Sequence, residues 1–434
     1  MGPGLSGGAV EWDERMIRTS TLPNGLHVLT ESMSHVRSAT IGVWCDVGSS
    51  FEPAERRGIS HLLEHMVFKG TQRRTARQIA EEMDAVGGEL NAMTDKESTC
   101  FYAHVVDRHL PRAIDVLADM LLNARFDADD LAREQQVVLE EIKMYDDSPG
   151  EVVHERFTRT LWRGANLGDP TIGFAATVAG IERADLVGWR AARYAPSTTI
   201  VTAAGHLEHD AVVALVADAF ASFAGAVAAP VPERPRFTPA LDVTIDETEQ
   251  AYVLLGAPGL GLRDERRYAL SVLDTILGGG MSSRLFQSVR EERGLAYEIS
   301  TFQQGYREAG LFGVSAGCTP ERAQECIGVV SDELDRLLHD GVGADEIERA
   351  REHLKGNLTL ALESTFNRMS RLARNHIVHG RQISTEEVEA RFDAVTAAEV
   401  DALARELLAP AERGLCVLGP AGVRSVRLPG AAAA

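Results

Sequence analysis

The sequence predicts an α+β protein of two homologous domains, each a mostly antiparallel sheet packed with helices, related by internal duplication. Three observations predict it. Strand-like pairs alternate with helical stretches in both halves of the chain. Short matches recur at nearly one offset. Glu55-Arg56-Arg57 returns as Glu265-Arg266-Arg267 after 210 residues, and Ala128-Asp129-Asp130-Leu131 returns as Ala344-Asp345-Glu346-Ile347 after 216. Asp185-Leu186 with Ala195-Pro196 returns as Glu399-Val400 with Ala409-Pro410 after 214. Their collinear order reads as a duplicated unit of about 210 residues. Between the copies, the run from Ala229 to Pro239 holds four prolines, which favour an extended linker. The expected domains are therefore 1–229 and 240–434, joined by a linker at 230–239. A frayed tail is expected over Pro429 to Ala434.

The elements follow in order. Gly25 to Thr30 and Ser38 to Val47 read as strands. Gly58 to Phe68 reads as a helix closed by Gly70, and Thr75 to Val86 as a helix ended by Gly87-Gly88. Glu89 to Val106 reads as strand, turn and strand. Asp129 to Tyr145 is a long helix, with Asp127 or Asp129 as N-cap and Pro149-Gly150 as its terminus. Val212 to Ala229 reads as a core-facing helix. The second half repeats the scheme: strand Tyr252 to Leu255, helix Arg266 to Leu277, a glycine turn at 278–280, helix Ser283 to Arg293, then strands and helices. The glycine turn lacks a following Lys-Ser/Thr, so it is a helix-to-helix connection with backbone freedom and not a phosphate loop.

Composition bounds the function. The 434 residues are 44% hydrophobic and 25% charged, ordinary for a globular chain of two or three domains. The net charge is −20, which argues against a nucleic-acid partner. It makes basic peptides a reasonable first panel. Five cysteines form no CxxC pair, so neither a disulfide framework nor a cysteine zinc site is expected. No stretch reads as a membrane span, the first thirty residues lack an apolar signal core, and Glu11, Asp13 and Glu14 argue against a transit peptide. Four lysines against forty arginines suggest a GC-rich bacterial genome. The expectation is a bacterial cytoplasmic protein with no membrane partner.

The sharpest motif is His61-Leu62-Leu63-Glu64-His65, an H-x-x-E-H sequence. On a helix, positions i and i+4 share a face, so both imidazoles can grip one ion. Glu64, at i+3 from His61, can reach a water on that ion. Zinc suits such a site because it takes imidazole and carboxylate ligands. An ordinary amphipathic helix with two surface histidines is the alternative. A third protein ligand is needed, and the helix after Asp129 offers Glu134, Glu140 and Glu141. At about 100° per residue, Glu134 and Glu141 share a face with Leu131, Val138, Ile142 and Tyr145. Glu140 falls on the solvated side. Carboxylates are seldom placed in an apolar stripe unless paired or metal-bound.

These residues resemble a known family. His61 to His65, with Glu141 lying 76 positions beyond His65 and Glu134 seven before that, resembles the pitrilysin-like zinc peptidases. The likeness is greatest to the mitochondrial processing peptidase branch and its bacterial relatives. The segments Met66 to Thr71, Leu90 to Thr94 and Glu134 to Glu141 are similar too. The resemblance implies that His61, His65 and Glu141 hold one Zn2+ per chain. It implies that Glu64 is the general base and that Glu134 supports the site from behind the ligands. It also implies that Arg290 and Tyr297 hold the substrate near the metal. In the second half, His61, Glu64 and His65 fall on Ser271, Asp274 and Thr275, while Glu134 and Glu141 fall on Ala350 and Asn357. No ligand set survives there.

The function implied is a zinc-dependent endopeptidase acting on unfolded peptides or presequence-like segments. By that resemblance, zinc held there would supply Lewis acidity toward water and carbonyl, Glu64 would carry the proton to the leaving amine, and Tyr297 would help to stabilise the oxyanion. Substrate would add as a strand along the edge carrying Asn91 and Ala92. The family's chains of this length work in pairs around a hollow chamber. Both residue sets are present here, so a homodimer with composite sites is expected. Two alternatives stay open: a non-catalytic, core-protein-like subunit, and one half of an obligate heterodimeric peptidase.

Overall fold

The structure is a computed structural model and describes residues 17–429. The first sixteen residues, with the transit-peptide argument that rests on them, lie outside the described residues. So does the expected frayed tail beyond Pro429.

The first half runs β1 (Ile17–Thr21), β2 (His27–Ser32), β3 (Ser38–Cys45), α1 (Ile59–Val67), α2 (Ala76–Asp84), β4 (Glu89–Thr94) and β5 (Thr99–Val106). It continues through α3 (Leu110–Asn123), α4 (Ala128–Asp146), α5 (Pro149–Leu161), α6 (Ala175–Ala179), α7 (Arg183–Arg193), β6 (Thr199–Gly205) and α8 (His209–Ala219). The second half runs β7 (Leu241–Ile245), β8 (Ala251–Gly259), α9 (Arg267–Gly278), β9 (Ala296–Gly305), β10 (Gly310–Cys318) and α10 (Ala323–Asp340). Then come α11 (Ala344–Ala361), α12 (Thr365–His379), α13 (Thr385–Ala394), α14 (Ala397–Leu407) and β11 (Gly414–Gly419).

The strand order exposes the duplication. The first sheet is ordered β1-β2-β6-β3-β5-β4 and the second β7-β11-β8-β10-β9. Set β1 aside and the two orders coincide, strand for strand. In each sheet one pair is parallel, β2 with β6 and β7 with β11, and the other pairs are antiparallel. Residues 223–240, which include the four prolines, hold no regular element.

Each sheet packs one face on its own helices. Val43, Phe101, Leu62, Leu63, Met66 and Val138 are buried together in the first half. Val253, Phe312, Leu270, Leu273, Leu334 and Leu403 form the equivalent core in the second. The other face of each sheet is covered by a helix from the opposite half. Phe157 and Leu161 of α5 pack on Leu254, Leu311, Cys416 and Leu418 of the second sheet. Met369, Leu372 and Ala373 of α12 pack on Leu29, Trp44, Ile200 and Ala204 of the first. The helices α5 and α12 are duplication equivalents, so the exchange is reciprocal. Buried Arg307 reaches across to Asp46 and Glu97, and buried Arg368 pairs with Glu31.

Five expectations are corrected. Pro149-Gly150 opens α5 as well as following α4, because proline at a first helical position gives up only an N–H that has no helical partner. The helix expected over Val212 to Ala229 stops at Ala219, where Asn24 donates to the carbonyls of Phe220 and Phe223. Within Ser283 to Arg293 the backbone widens into a π-helical turn over Phe286–Glu291, with Glu292 N bonded to Gln287 O. At the glycine turn, none of the three glycines has a positive φ. Gly278 is required for close approach instead, since a Cβ there would lie 2.4 Å from Thr301 N. Tyr145, placed on the apolar face of α4 by its angle, is exposed past the end of the core. The edge strand β1 was not expected; its five residues are mostly polar and only partly buried.

Candidate metal centre

α1 is built to present one polar face. Leu62, Leu63, Met66 and Val67 are buried in the core, which turns His61, Glu64 and His65 outward toward α4. Its N-terminus is fixed by Glu52, whose carboxylate accepts from Gly58 N and Ser60 N, both at 2.7 Å. Gly58 has φ +92°, and a Cβ there would lie 2.5 Å from Ile172 O. Only glycine meets both demands.

α4 crosses beside α1 and delivers the acids. Leu131 and Val138 are buried, as their positions in the apolar stripe require. Glu134 is 7% exposed, while Glu141 is half-buried. Ligating atoms of His61, His65 and Glu141 all lie within 4.8 Å of one another. Among the described residues this is the single such group of three. The imidazole centroids are 4.7 Å apart, and His65 Nε2 is 3.6 Å from Glu141 Oε2. Ser271, Asp274, Thr275, Ala350 and Asn357 assemble no counterpart group.

A carboxylate stands behind the group. Glu134 Oε2 is 3.2 Å from His65 Nδ1, and its other oxygen is 2.7 Å from Lys69 Nζ. A carboxylate on one ring nitrogen leaves the other free to ligate. Nδ1 of His61 is buried without a hydrogen-bond partner. Burial, helped by the neighbouring His65, pulls the His61 pKa down to about 4, so the ring is neutral and able to ligate. Two imidazoles and a carboxylate are a donor set that fits zinc.

Glu64 lies beside this group without joining it. Burial raises its pKa, with Thr94 and His65 opposing the shift and Glu141 adding to it. Thr94 Oγ1 donates to Glu64 Oε2. Thr94 ends β4, the edge strand of the first sheet, so the open edge runs toward the group. Asn91 and Ala92 lie on that edge, with Asn91 Oδ1 accepting from Ala92 N.

A cavity of about 690 Å3 adjoins the site. His61, Thr94 and Glu141 form one wall, Glu151, His154 and Glu155 of α5 another, and Gln304 and Tyr306 of the second half close it. Half-buried Lys96 also lines it and donates to the Asp169 carbonyl. Arg290 and Tyr297 do meet each other: the guanidinium lies 5.3 Å from the Tyr297 ring centroid. Tyr297 is 79% exposed, and neither residue lines the cavity that holds His61 and Glu141.

Sequence reasoning gave no role to Lys69, Thr94, Glu52 or Tyr306. Lys69 and Thr94 fall within recognisable segments, so position could have flagged them. Nothing local marks Glu52 or Tyr306.

The chain is similar to known proteins in both sequence and fold. The family model described as insulinase (peptidase family M16) matches residues 27–174, and that of the peptidase M16 inactive domain matches residues 180–354. A Streptomyces coelicolor protein named an uncharacterized zinc protease is 43% identical over 413 residues, covering 93% of this chain and 90% of its own. A Bacillus subtilis protein of the same description is 39% identical over 407 residues, covering 94% and 99%. The fold matches a crystal structure of a peptidase M16 inactive domain from Pseudomonas fluorescens, with TM-score 0.87, 20% identity and coverage of 93% and 98%. It also matches a protease from Helicobacter pylori, with TM-score 0.87, 22% identity and coverage of 93% and 99%. The likeness to the two relatives spans nearly the whole chain and both halves of the duplication, and on that ground the chain belongs to the insulinase peptidases, family M16.

Proposed function

We propose that this chain is a zinc-dependent endopeptidase that hydrolyses peptide bonds in unfolded or presequence-like segments. The observation that carries the reading is the convergence of His61, His65 and Glu141, with Glu64 beside them and bonded to none of them. The names of the relatives, zinc proteases, point the same way. His61, His65 and Glu141 would hold one Zn2+ per chain. Zinc in such a site supplies Lewis acidity toward a carbonyl and toward water. Glu64 is the general base. Thr94 occupies its Oε2, which leaves Oε1 to take the proton of the attacking water and return it to the leaving amine. Its raised pKa suits a group that must hold that proton for part of the cycle. Glu134 orients His65. The edge at Asn91 and Ala92 receives the substrate backbone as an added strand. The acids Glu151 and Glu155 in the adjoining cavity favour a basic side chain there.

Arg290 and Tyr297 are assigned to substrate binding in a second copy of the chain. That neither lines the metal cavity of its own chain supports a homodimer with composite sites. The digest of a peptide library by metal-loaded protein, beside a chelated sample and Glu64→Gln, tests the activity. Cleavage confined to the loaded wild type is expected. Stoichiometric zinc with no cleavage by the chain alone would instead support a non-catalytic subunit or half of a heterodimer. Mixing inactive His61→Ala with inactive Arg290→Ala chains tests sharing. Activity should return on mixing, and no return despite subunit exchange rejects composite sites.

A further inference from the structure

The second half keeps a copy of the metal cavity, stripped of ligands and reversed in charge. The duplication relates His61, Thr94, Glu151, His154 and Thr158 to Ser271, Gln303, Asn367, Ser370 and Arg374. All five of the former line the metal cavity, and all five of the latter line one cavity of about 720 Å3. Local bonding repeats as well. Gln303 Nε2 donates to Asp274 Oδ2 at 3.0 Å, as Thr94 donates to Glu64. The halves also trade walls: Gln304 and Tyr306 of β9 and its turn close the metal cavity, while Met93, Asp95 and Glu97 of β4 and its turn close the copy.

The chemistry of the two spaces differs in sign. Glu141, Glu151 and Glu155 wall the metal cavity. Their equivalents are Asn357, Asn367 and Arg371, none of them acidic. Arg374 is exposed, lines the copy, and makes no hydrogen bond or ion pair among the described residues. The other arginines of the cavity are committed. Arg307 is held by Asp46 and Glu97, and Arg267 lies over Tyr268 while donating to the Asp264 carbonyl. Ser370 Oγ is buried with no partner and can donate to a carboxylate, while Gln304 Oε1 and Glu97 Oε1, also unpartnered, only accept, as from a peptide N–H. Buried polar atoms are rarely left so unless a ligand or water completes them. Asp95, Glu97, Ser98 and Asn367 add polar wall, and the rest is apolar, including Trp44, Leu270, Phe366 and Phe392. A free guanidinium at the mouth of a largely apolar space with unpaired polar atoms suits an apolar chain bearing a carboxylate.

We infer that this cavity binds a carboxylate carried by a peptide, either an acidic side chain or a C-terminus, with Arg374 as its cationic partner. Gln304 and Tyr306 line both cavities, so the two spaces share a wall that one extended peptide would have to pass. As a substrate subsite, the inference rests on the peptidase reading. Asp95 carries the one opposing charge that is not ion-paired at this site among the described residues.

The test is equilibrium binding of ten-residue peptides to zinc-loaded Glu64→Gln, which does not cut them. One series walks a single glutamate along a neutral, amidated peptide. A second compares a free C-terminus with the amide. One glutamate position, or the free acid, should bind about tenfold more tightly than the neutral peptide, and the series that responds identifies the source of the carboxylate. Arg374→Ala should erase that gain and leave the neutral peptide unchanged, Arg374→Glu should transfer it to lysine-bearing peptides, and Asp95→Asn should enlarge it. The inference is overturned if no carboxylate gains affinity, or if the gain survives in Arg374→Ala. Should wild-type, zinc-loaded protein cleave none of the peptides that bind, the peptidase reading fails while the carboxylate site stands.

Discussion

Gly256→Ala tests how α5 is seated on the second sheet. A Cβ at Gly256 would lie 2.4 Å from Phe157 Cε2 and 2.6 Å from Leu161 Cδ1, about 1 Å inside ordinary contact. The Phe157 ring cannot easily withdraw. It is fully buried and meets Phe302 edge-on at 5.5 Å. Overpacking of this kind costs about 1–3 kcal/mol. With an unfolding entropy of about 2.1 cal/mol/K per residue, a chain of this size loses about 1–3 °C in Tm for that cost. Scanning calorimetry on metal-free protein resolves such a shift. The same helix carries Glu151, His154 and Glu155 into the metal cavity, so KM for a cleaved peptide should rise more than kcat falls. Phe157→Leu, destabilising alone, should restore room in the Gly256→Ala background, so the double variant should melt above the sum of the two losses. Strict additivity, or an unchanged Tm for Gly256→Ala, would refute the packing described.

Three further outcomes are expected. Glu134→Gln keeps the shape behind His65 but removes the charge, and zinc affinity measured by chelator competition should fall about 10- to 100-fold. Removing zinc should lower the wild-type Tm by several degrees, since binding to the native state at about 1,000 times Kd contributes about 4 kcal/mol; His61→Ala should show little of this response. Burial pushes the Glu52 carboxyl from its ordinary 4.5 up to about 7. Its folded form therefore prefers the proton, and its stabilising contribution, whole below about pH 4.5, is lost as pH rises through about 7. The difference in Tm between wild type and Glu52→Gln should change in that window, and a constant difference would rule the assignment out.

Much of this was legible because the signals are local or periodic. The i, i+4 spacing of His61 and His65 put both rings on one face. The helical angle between Glu134 and Glu141 placed both acids toward the same side, and the offsets of 210 to 216 anticipated a duplicated unit, which the two sheets display in their strand order once β1 is set aside. What escaped depends on distant residues meeting. Lys69 and Glu134 are far apart in the chain, as are Glu52 and Ser60's helix from Ile172. The exchange of α5 and α12 leaves no trace in either helix alone, since an apolar face does not say which sheet it will cover. Pro149 was ambiguous for a physical reason: the residue that cannot continue one helix is well suited to begin another.

The traded helices carry an implication for how the two halves hold together. A single half alone would hold out the helix equivalent to α5 or α12 with nothing to cover, and the back of its own sheet would stand wet. Two such copies, each lending that helix to its twin, would close both surfaces at once. The reciprocal packing inside one polypeptide is the contact that a symmetric pair of single halves would make. A cut within residues 223–240 should accordingly yield two fragments that remain clasped without a covalent bond.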